Sequence, residues 1–193
     1  EEGRFDTQVL PIGDVHRDEG IRPDTTMEKM AQLKPFSEYG PLTAAMSSQL
    51  TDGSAALLVA SEAAIELHGL TPLARVHTAV VTGSDADLIL TGPIPATHKA
   101  LERANLSVDD IDLYECNEAF ASVGLAWEKE VHPDMERVNP NGGAIALGHP
   151  LGGTGAILTT KAVHELQRTD TEHALVTMCC GGGLGTGTLL RRL

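Results

Sequence analysis

From about Leu73 to its end the chain alternates short apolar runs with amphipathic stretches, and this alternation limits the available folds more than any single residue does. Leu73-Ala-Arg-Val-His-Thr-Ala-Val-Val81 reads as a strand. Pro95-Ala-Thr-His-Lys-Ala-Leu-Glu-Arg-Ala104 reads as a helix with proline in its first turn and Asn105 at its end. Ile111-Asp-Leu-Tyr-Glu115 is a short strand, and the following residues 116–127 have helical spacing in Ala119, Val123 and Trp127, with Asn117 where an N-cap would sit. A further helix opens at Gly155 and carries Leu158, Ala162 and Leu166 on one face. Residues 174–178 form a strand, 179–185 a turn and 186–190 a returning strand. Strands alternating with helices imply a layered α/β unit.

The chain before Leu73 is less regular. Up to about Leu42 it reads as a loop-rich excursion, with a turn at Asp18-Glu-Gly-Ile-Arg-Pro-Asp24 and a short helix capped by Thr25 or Thr26 that runs towards Leu33 and stops before Pro35. Ala55-Ala-Leu-Leu-Val-Ala60 has the composition of a buried strand or the start of a helix. Ser61-Glu-Ala-Ala-Ile-Glu-Leu-His68, closed by Gly69, is a helix with both ends marked, and a boundary follows near Pro72.

Composition restricts the class of function. The formal net charge of −13 argues against nucleic acid, which rewards clusters of Lys and Arg that are missing here. No run approaches the ~18 apolar residues of a membrane-spanning helix, and the first residues lack the pattern of a signal peptide. Three cysteines, two of them adjacent, do not make a disulfide framework. The expected setting is therefore reducing and cytoplasmic.

Residues 139–155 contain six glycines in seventeen positions, and His149 is their single titratable side chain. Glycine admits positive φ and close approach by another group, and a loop that feeds a helix N-terminus places partial positive charge beside the imidazole. Asn117, His149 and Cys179 each fall at a junction of strand, loop and helix, which is where α/β sheets bind ligands. The adjacent thiols Cys179 and Cys180 lack the spacing of a zinc site, and neither glycine run ends in the Gly-Lys-Ser/Thr of a phosphate loop. Neighbouring residues of a strand face opposite ways, so only one of the two thiols looks into a given pocket. A thiol, a histidine and free glycine amides suit acyl chemistry at a thioester. The competing readings are a packed thiol and a glycine turn whose histidine serves only local structure.

Three blocks, Asn117-Glu-Ala-Phe-Ala121, Asn141-Gly-Gly-Ala-Ile-Ala-Leu-Gly-His-Pro-Leu-Gly152 and Met178-Cys-Cys-Gly-Gly-Gly183, resemble successive signatures of the thiolases, the acetyl-CoA acetyltransferases and 3-ketoacyl-CoA thiolases. The likeness extends back through Thr91-Gly-Pro-Ile-Pro-Ala96 and Ser47-Ser-Gln-Leu-Thr-Asp-Gly53 to the turn at residues 18–24, and it corresponds to the second half of the family's pattern. The resemblance implies the thiolase fold, a layered α-β-α core. It divides the chain into residues 1–47, the end of the loop domain, 48–72, the closing segment of the N-terminal core domain, and 73–193, the C-terminal core domain.

By the same resemblance, His149 activates the nucleophile and polarises the thioester oxygen, Cys179 moves a proton to or from substrate carbon or incoming thiol, and Asn117 holds an oxyanion-hole water. Gly181 lends its amide to a second oxyanion hole. Ser48, Ala119 and Phe120 line the pantetheine channel, and Arg22 lies near the coenzyme A nucleotide. The implied activity is coenzyme A-dependent cleavage of a 3-ketoacyl-CoA, as in fatty-acid β-oxidation, or the reverse Claisen condensation. The blocks at residues 47–49 and 92–95 look more like those of degradative members, which favours cleavage. Coenzyme A enters as a substrate, no permanent cofactor or metal is expected, and the complete enzyme is expected to be a homodimer or tetramer. Two departures stand out: the family's acyl-accepting cysteine belongs to its first half, and Met46 stands where asparagine is common. A non-catalytic module that binds acyl-CoA or supports a partner is the alternative, and a ketoacyl synthase would not be expected to keep the Cys-x-Gly-Gly-Gly block.

Overall fold

The computed structural model describes residues 2–193. Ahead of the core lie two short helices, α1 (Met27–Ala31) and α2 (Glu62–His68). The core then runs β1 (Ala74–Gly83), α3 (Pro93–Ala104), β2 (Leu113–Cys116), α4 (Ala121–Val131), α5 (Ala144–Leu147), α6 (Thr154–Thr169), β3 (His173–Cys180) and β4 (Leu184–Arg192). The helix ends follow local chemistry. Ser61 caps α2 by accepting from Ala64 N, and Gly69 ends it at φ 61°. Pro93 occupies the first turn of α3, and Asn105 ends that helix at φ 55°.

The four strands form one sheet in the order β1-β4-β3-β2, with β1–β4 and β3–β4 antiparallel and β2–β3 parallel. Helices cover both faces, as the alternation of strands and helices requires. On one face, Ala96, Ala100, Leu101, Trp127 and Val131 of α3 and α4 pack against Val80, Tyr114, Leu175 and Leu189. On the other, Leu158, Ala162, Val163 and Leu166 of α6 pack against Leu113, Ala174, Val176 and Leu190. The period-two alternation of strand side chains divides Leu113 from Tyr114 and Leu175 from Val176 between these layers. Tyr114 and Trp127 meet edge to face at 5.3 Å, and their polar ends are satisfied by Val108 O and the Thr97 hydroxyl.

The α6 layer contains one buried charge pair. Lys161 Nζ donates to Glu115 Oε2 at 2.8 Å and to the carbonyl of Gly142 at 2.6 Å, with side-chain exposures of 4% and 0% for the lysine and the glutamate. Helix, strand and glycine loop are thereby tied at one point. Burial pushes the Glu115 carboxyl up to about 7, against the opposing pull of Lys161.

The structure corrects four local expectations. Residues 55–60 form neither strand nor helix, and Leu58 and Val59 are each 80% exposed. A strand needs a partner ladder to satisfy its backbone, and among the described residues none runs beside this segment. Asn117 is not the N-cap of α4, which begins four residues later after Phe120. Instead its N–H donates to Thr177 O at 3.0 Å and prolongs the β2–β3 pairing. Cys179 and Cys180 belong to β3 rather than to the turn, which is confined to residues 181–183. The glycine stretch also contains the single turn of α5.

Lys161→Met leaves the buried Glu115 carboxyl without its cation and the Gly142 carbonyl without its donor, and is expected to destabilise the chain by about 3–5 kcal/mol. Adding Glu115→Leu should recover most of that loss. Denaturant unfolding of the single and double variants checks this, and equal losses in both would contradict the assignment.

Candidate active site

The site forms where the C-terminal ends of β2 and β3 meet the glycine stretch. Asn139, with φ 46°, joins that stretch to β2: its N–H donates to Tyr114 O, its Oδ1 accepts from Cys116 N, and its Nδ2 donates to Cys116 O and Glu118 Oε1. The other Glu118 oxygen accepts from Ile145 N at 3.2 Å, so one carboxylate secures the entry to α5. At Gly143 a Cβ would meet that carboxylate, so a larger residue there would displace Glu118 from Ile145 N. Gly148 follows α5 with φ 91° and leaves no room for a side chain beside Thr51.

His149 is held from three sides. Its N–H donates to Gln49 O at 3.1 Å, its Nδ1 lies 2.6 Å from Thr154 Oγ1 at the start of α6, and its Nε2 lies 3.5 Å from Asn117 Nδ2. The imidazole is half-buried, and desolvation lowers its pKa from the ordinary 6.5, which favours the neutral ring at neutral pH. Asn117 is fully buried, and its Oδ1 has no partner among the described residues. A buried acceptor without a partner is uncommon and calls for a functional account.

Of the residues singled out from sequence, Asn117 and His149 are brought into contact. Cys179, half-buried near the end of β3, makes no hydrogen bond to either through its thiol. Burial raises the Cys179 thiol above its ordinary value, so the protonated form prevails at neutral pH. Gly181 opens the exposed turn after β3. Ser48 N donates to Ala119 O at 3.1 Å, and Ser47 bridges Phe120, so the three expected channel residues share one seam. Arg22 is exposed, and its loop is tethered two residues earlier, where Gln49 Nε2 donates to Gly20 O at 2.9 Å. Cys116 is wholly buried, and desolvation and the nearby Glu118 push its thiol far up, which leaves it inert as a nucleophile.

Sequence reasoning missed Gln49, Thr51, Glu118 and Thr154. Each acts through a contact with a loop glycine or with His149. Only Thr154 left a local sign, as a hydroxyl five residues beyond the histidine at a helix start.

A proton acceptor beside a buried amide, with a protonated thiol on the neighbouring strand, can transfer protons between carbon, sulfur and oxygen near pH 7. Titration of the His149 Cε1–H by NMR is expected to give a midpoint below 6.5. Because the unfolded ring keeps the higher pKa, the neutral ring's contribution to stability is present above about pH 6.5 and is lost as pH falls through the lower folded value. A midpoint at or above 6.5 would contradict the desolvated setting.

Comparison with known proteins fits this geometry. Residues 70–192 match the family description "Thiolase, C-terminal domain" and residues 1–63 match "Thiolase, N-terminal domain". A steroid 3-ketoacyl-CoA thiolase of Mycobacterium tuberculosis is 50% identical over 99% of this chain and 48% of its own length. The crystal structure of the Bacillus anthracis acetyl-CoA acetyltransferase superposes with a TM-score of 0.94 at 44% identity, covering 99% of this chain and 51% of that one. Human mitochondrial 3-ketoacyl-CoA thiolase in complex with CoA gives 0.89 at 45% identity, with 91% and 45% covered. The chain thus spans about half the length of the relatives it matches. The α-β-α layering, the Asn117–His149 contact and these matches agree, and the chain belongs to the thiolase family.

Proposed function

We propose that these residues supply the proton-transfer half of a coenzyme A-dependent thiolase, which cleaves a 3-ketoacyl-CoA to acetyl-CoA and a shortened acyl-CoA or runs the reverse condensation. The observation that carries this reading is the contact between buried Asn117 and His149 at the head of α6. In the cleavage direction, His149 accepts the proton of a cysteine thiol supplied by the part of the enzyme that corresponds to the relatives' other half. The resulting thiolate attacks the keto carbon, and the Cys179 thiol protonates the departing acetyl-CoA carbanion. The Cys179 thiolate then takes the thiol proton of incoming coenzyme A, which attacks the acyl-enzyme. The raised pKa of Cys179 supports this role, because the group begins protonated and returns protonated. The buried, unpartnered Asn117 Oδ1 is a suitable acceptor for an oxyanion-hole water, and the amide of Gly181 serves a second oxyanion.

Ser48, Ala119 and Phe120 line the pantetheine path in this reading, with Arg22 towards the nucleotide. Coenzyme A is a substrate and no permanent cofactor is assigned. The division at residues 47 and 72, a cytoplasmic location and a homodimeric or tetrameric enzyme complete the proposal. No helix among the described residues is long and apolar enough to cross a membrane. Leu57, Leu58, Val59 and Leu151 are exposed apolar side chains that the rest of the enzyme would cover. A purely binding module would have no use for the proton-transfer pair.

The 193 residues alone are expected not to release acetyl-CoA from acetoacetyl-CoA and coenzyme A, whereas their fusion to the N-terminal half of the Mycobacterium relative should do so. Mass spectrometry of the isolated chain should find no acyl group; turnover with an acyl group on Cys116, Cys179 or Cys180 would overturn the proposal. In the active fusion, His149→Ala should slow both half-reactions by about 10²–10⁴-fold. Cys179→Ala should keep acyl-enzyme formation but lose thiolysis and condensation, while Cys180→Ala should be nearly silent. The reverse pattern in the two cysteine variants would show that the wrong thiol has been assigned.

A further inference from the structure

We infer that Thr154 fixes the resting tautomer of His149, holding the proton on Nδ1 and leaving Nε2 bare towards Asn117. The assignment follows from counting protons. Asn117 Nδ2 only donates, so its approach to His149 Nε2 at 3.5 Å requires a lone pair on that nitrogen. A neutral imidazole with a lone pair on Nε2 carries its hydrogen on Nδ1. That N–H has one partner, the Thr154 hydroxyl at 2.6 Å, which must accept. The single hydroxyl proton then goes to the second atom in reach, the carbonyl of Pro150 at 2.8 Å. The result is a one-way chain from Nδ1–H through the Thr154 O–H to the Pro150 carbonyl.

Position reinforces the chain. Thr154 is 2% exposed, so water does not compete for its hydroxyl. The Pro150 carbonyl is immobilised by Gly153 N at 2.8 Å and Thr154 N at 2.9 Å in the first turn of α6. The ring is thus tied to its own main chain through a loop of fixed geometry. When Nε2 takes a proton, Nδ1–H keeps the same bond and the ring does not have to turn; only the Asn117 amide gives up its contact with Nε2. Thr154 is a positioning residue that acts through His149. The catalytic consequence rests on the proposed role of His149 as proton acceptor; the tautomer itself does not.

The test is ¹⁵N-labelling of the histidines in the full chain and two-bond ¹H–¹⁵N correlation above the His149 titration, with the signal assigned among the eight histidines by its loss in His149→Gln. The wild-type ring should show a protonated Nδ1 and a pyridine-type Nε2. A protonated Nε2 in the wild type overturns the inference without reference to any variant. Thr154→Val should move the ring towards the Nε2–H form, and Thr154→Ser should keep the wild-type pattern. An unchanged ring in a folded Thr154→Val chain also overturns it. In the active fusion, Thr154→Val should lower the rate of acyl-enzyme formation about tenfold or more, with Ser restoring it. A changed tautomer with an unchanged rate upholds the tautomer assignment and counts against His149 as the proton acceptor.

Discussion

Lys161 reaches from the middle of α6 across the core layer to Glu115 on β2 and to the Gly142 carbonyl, and the placement of the glycine stretch depends on that reach. Glycine-rich backbone has little of its own to hold it in one conformation. Here it is fixed by side chains from regular elements: Asn139 against β2, Glu118 under α5 and Lys161 at Gly142. A buried ion pair is a weak source of net stability compared with apolar packing, since desolvation consumes most of the attraction. Its value lies in direction, because the ammonium must be satisfied at that point and at no other. The stretch that carries His149 therefore inherits the rigidity of the sheet and of α6.

The site is distributed over distant parts of the chain. His149 answers to Gln49 through its N–H, to Asn117 through Nε2 and to Thr154 through Nδ1. Gln49 in turn reaches Gly20, so the loop that carries Arg22 is tied to the segment that holds His149. The seam of Ser47 and Ser48 with Ala119 and Phe120 joins the segment before Gln49 to the residues after Asn117. Proton transfer of the proposed kind needs such multiple anchoring, because donor and acceptor must stay within hydrogen-bond reach while the substrate changes shape.

Residues 55–60 present the opposite case. Their apolar side chains suit a buried strand, yet they lie irregular and largely exposed. Backbone hydrogen bonding and burial of the side chains both require neighbours, and the described residues offer none at this position. The helix that follows, α2, forms nonetheless because Ser61 and Gly69 satisfy its ends locally. The contrast between two adjacent segments separates what local caps achieve from what only a partner ladder achieves.

The sequence by itself determined the capped helices, the strand–helix alternation and the family, since caps, periodicity and motif blocks are written in residues a few positions apart. It also marked Asn117, His149 and Cys179 as the residues to examine. It misread Asn117 as a helix cap and placed Cys179 in a turn, because strand ends are set by pairing across the sheet and not by the segment alone. Only the tertiary structure decided that Asn117 meets His149, that Thr154 holds the other ring nitrogen and that Lys161 steadies the stretch between them. Those contacts join residues on different elements, and their energies depend on burial and orientation, which no local pattern contains.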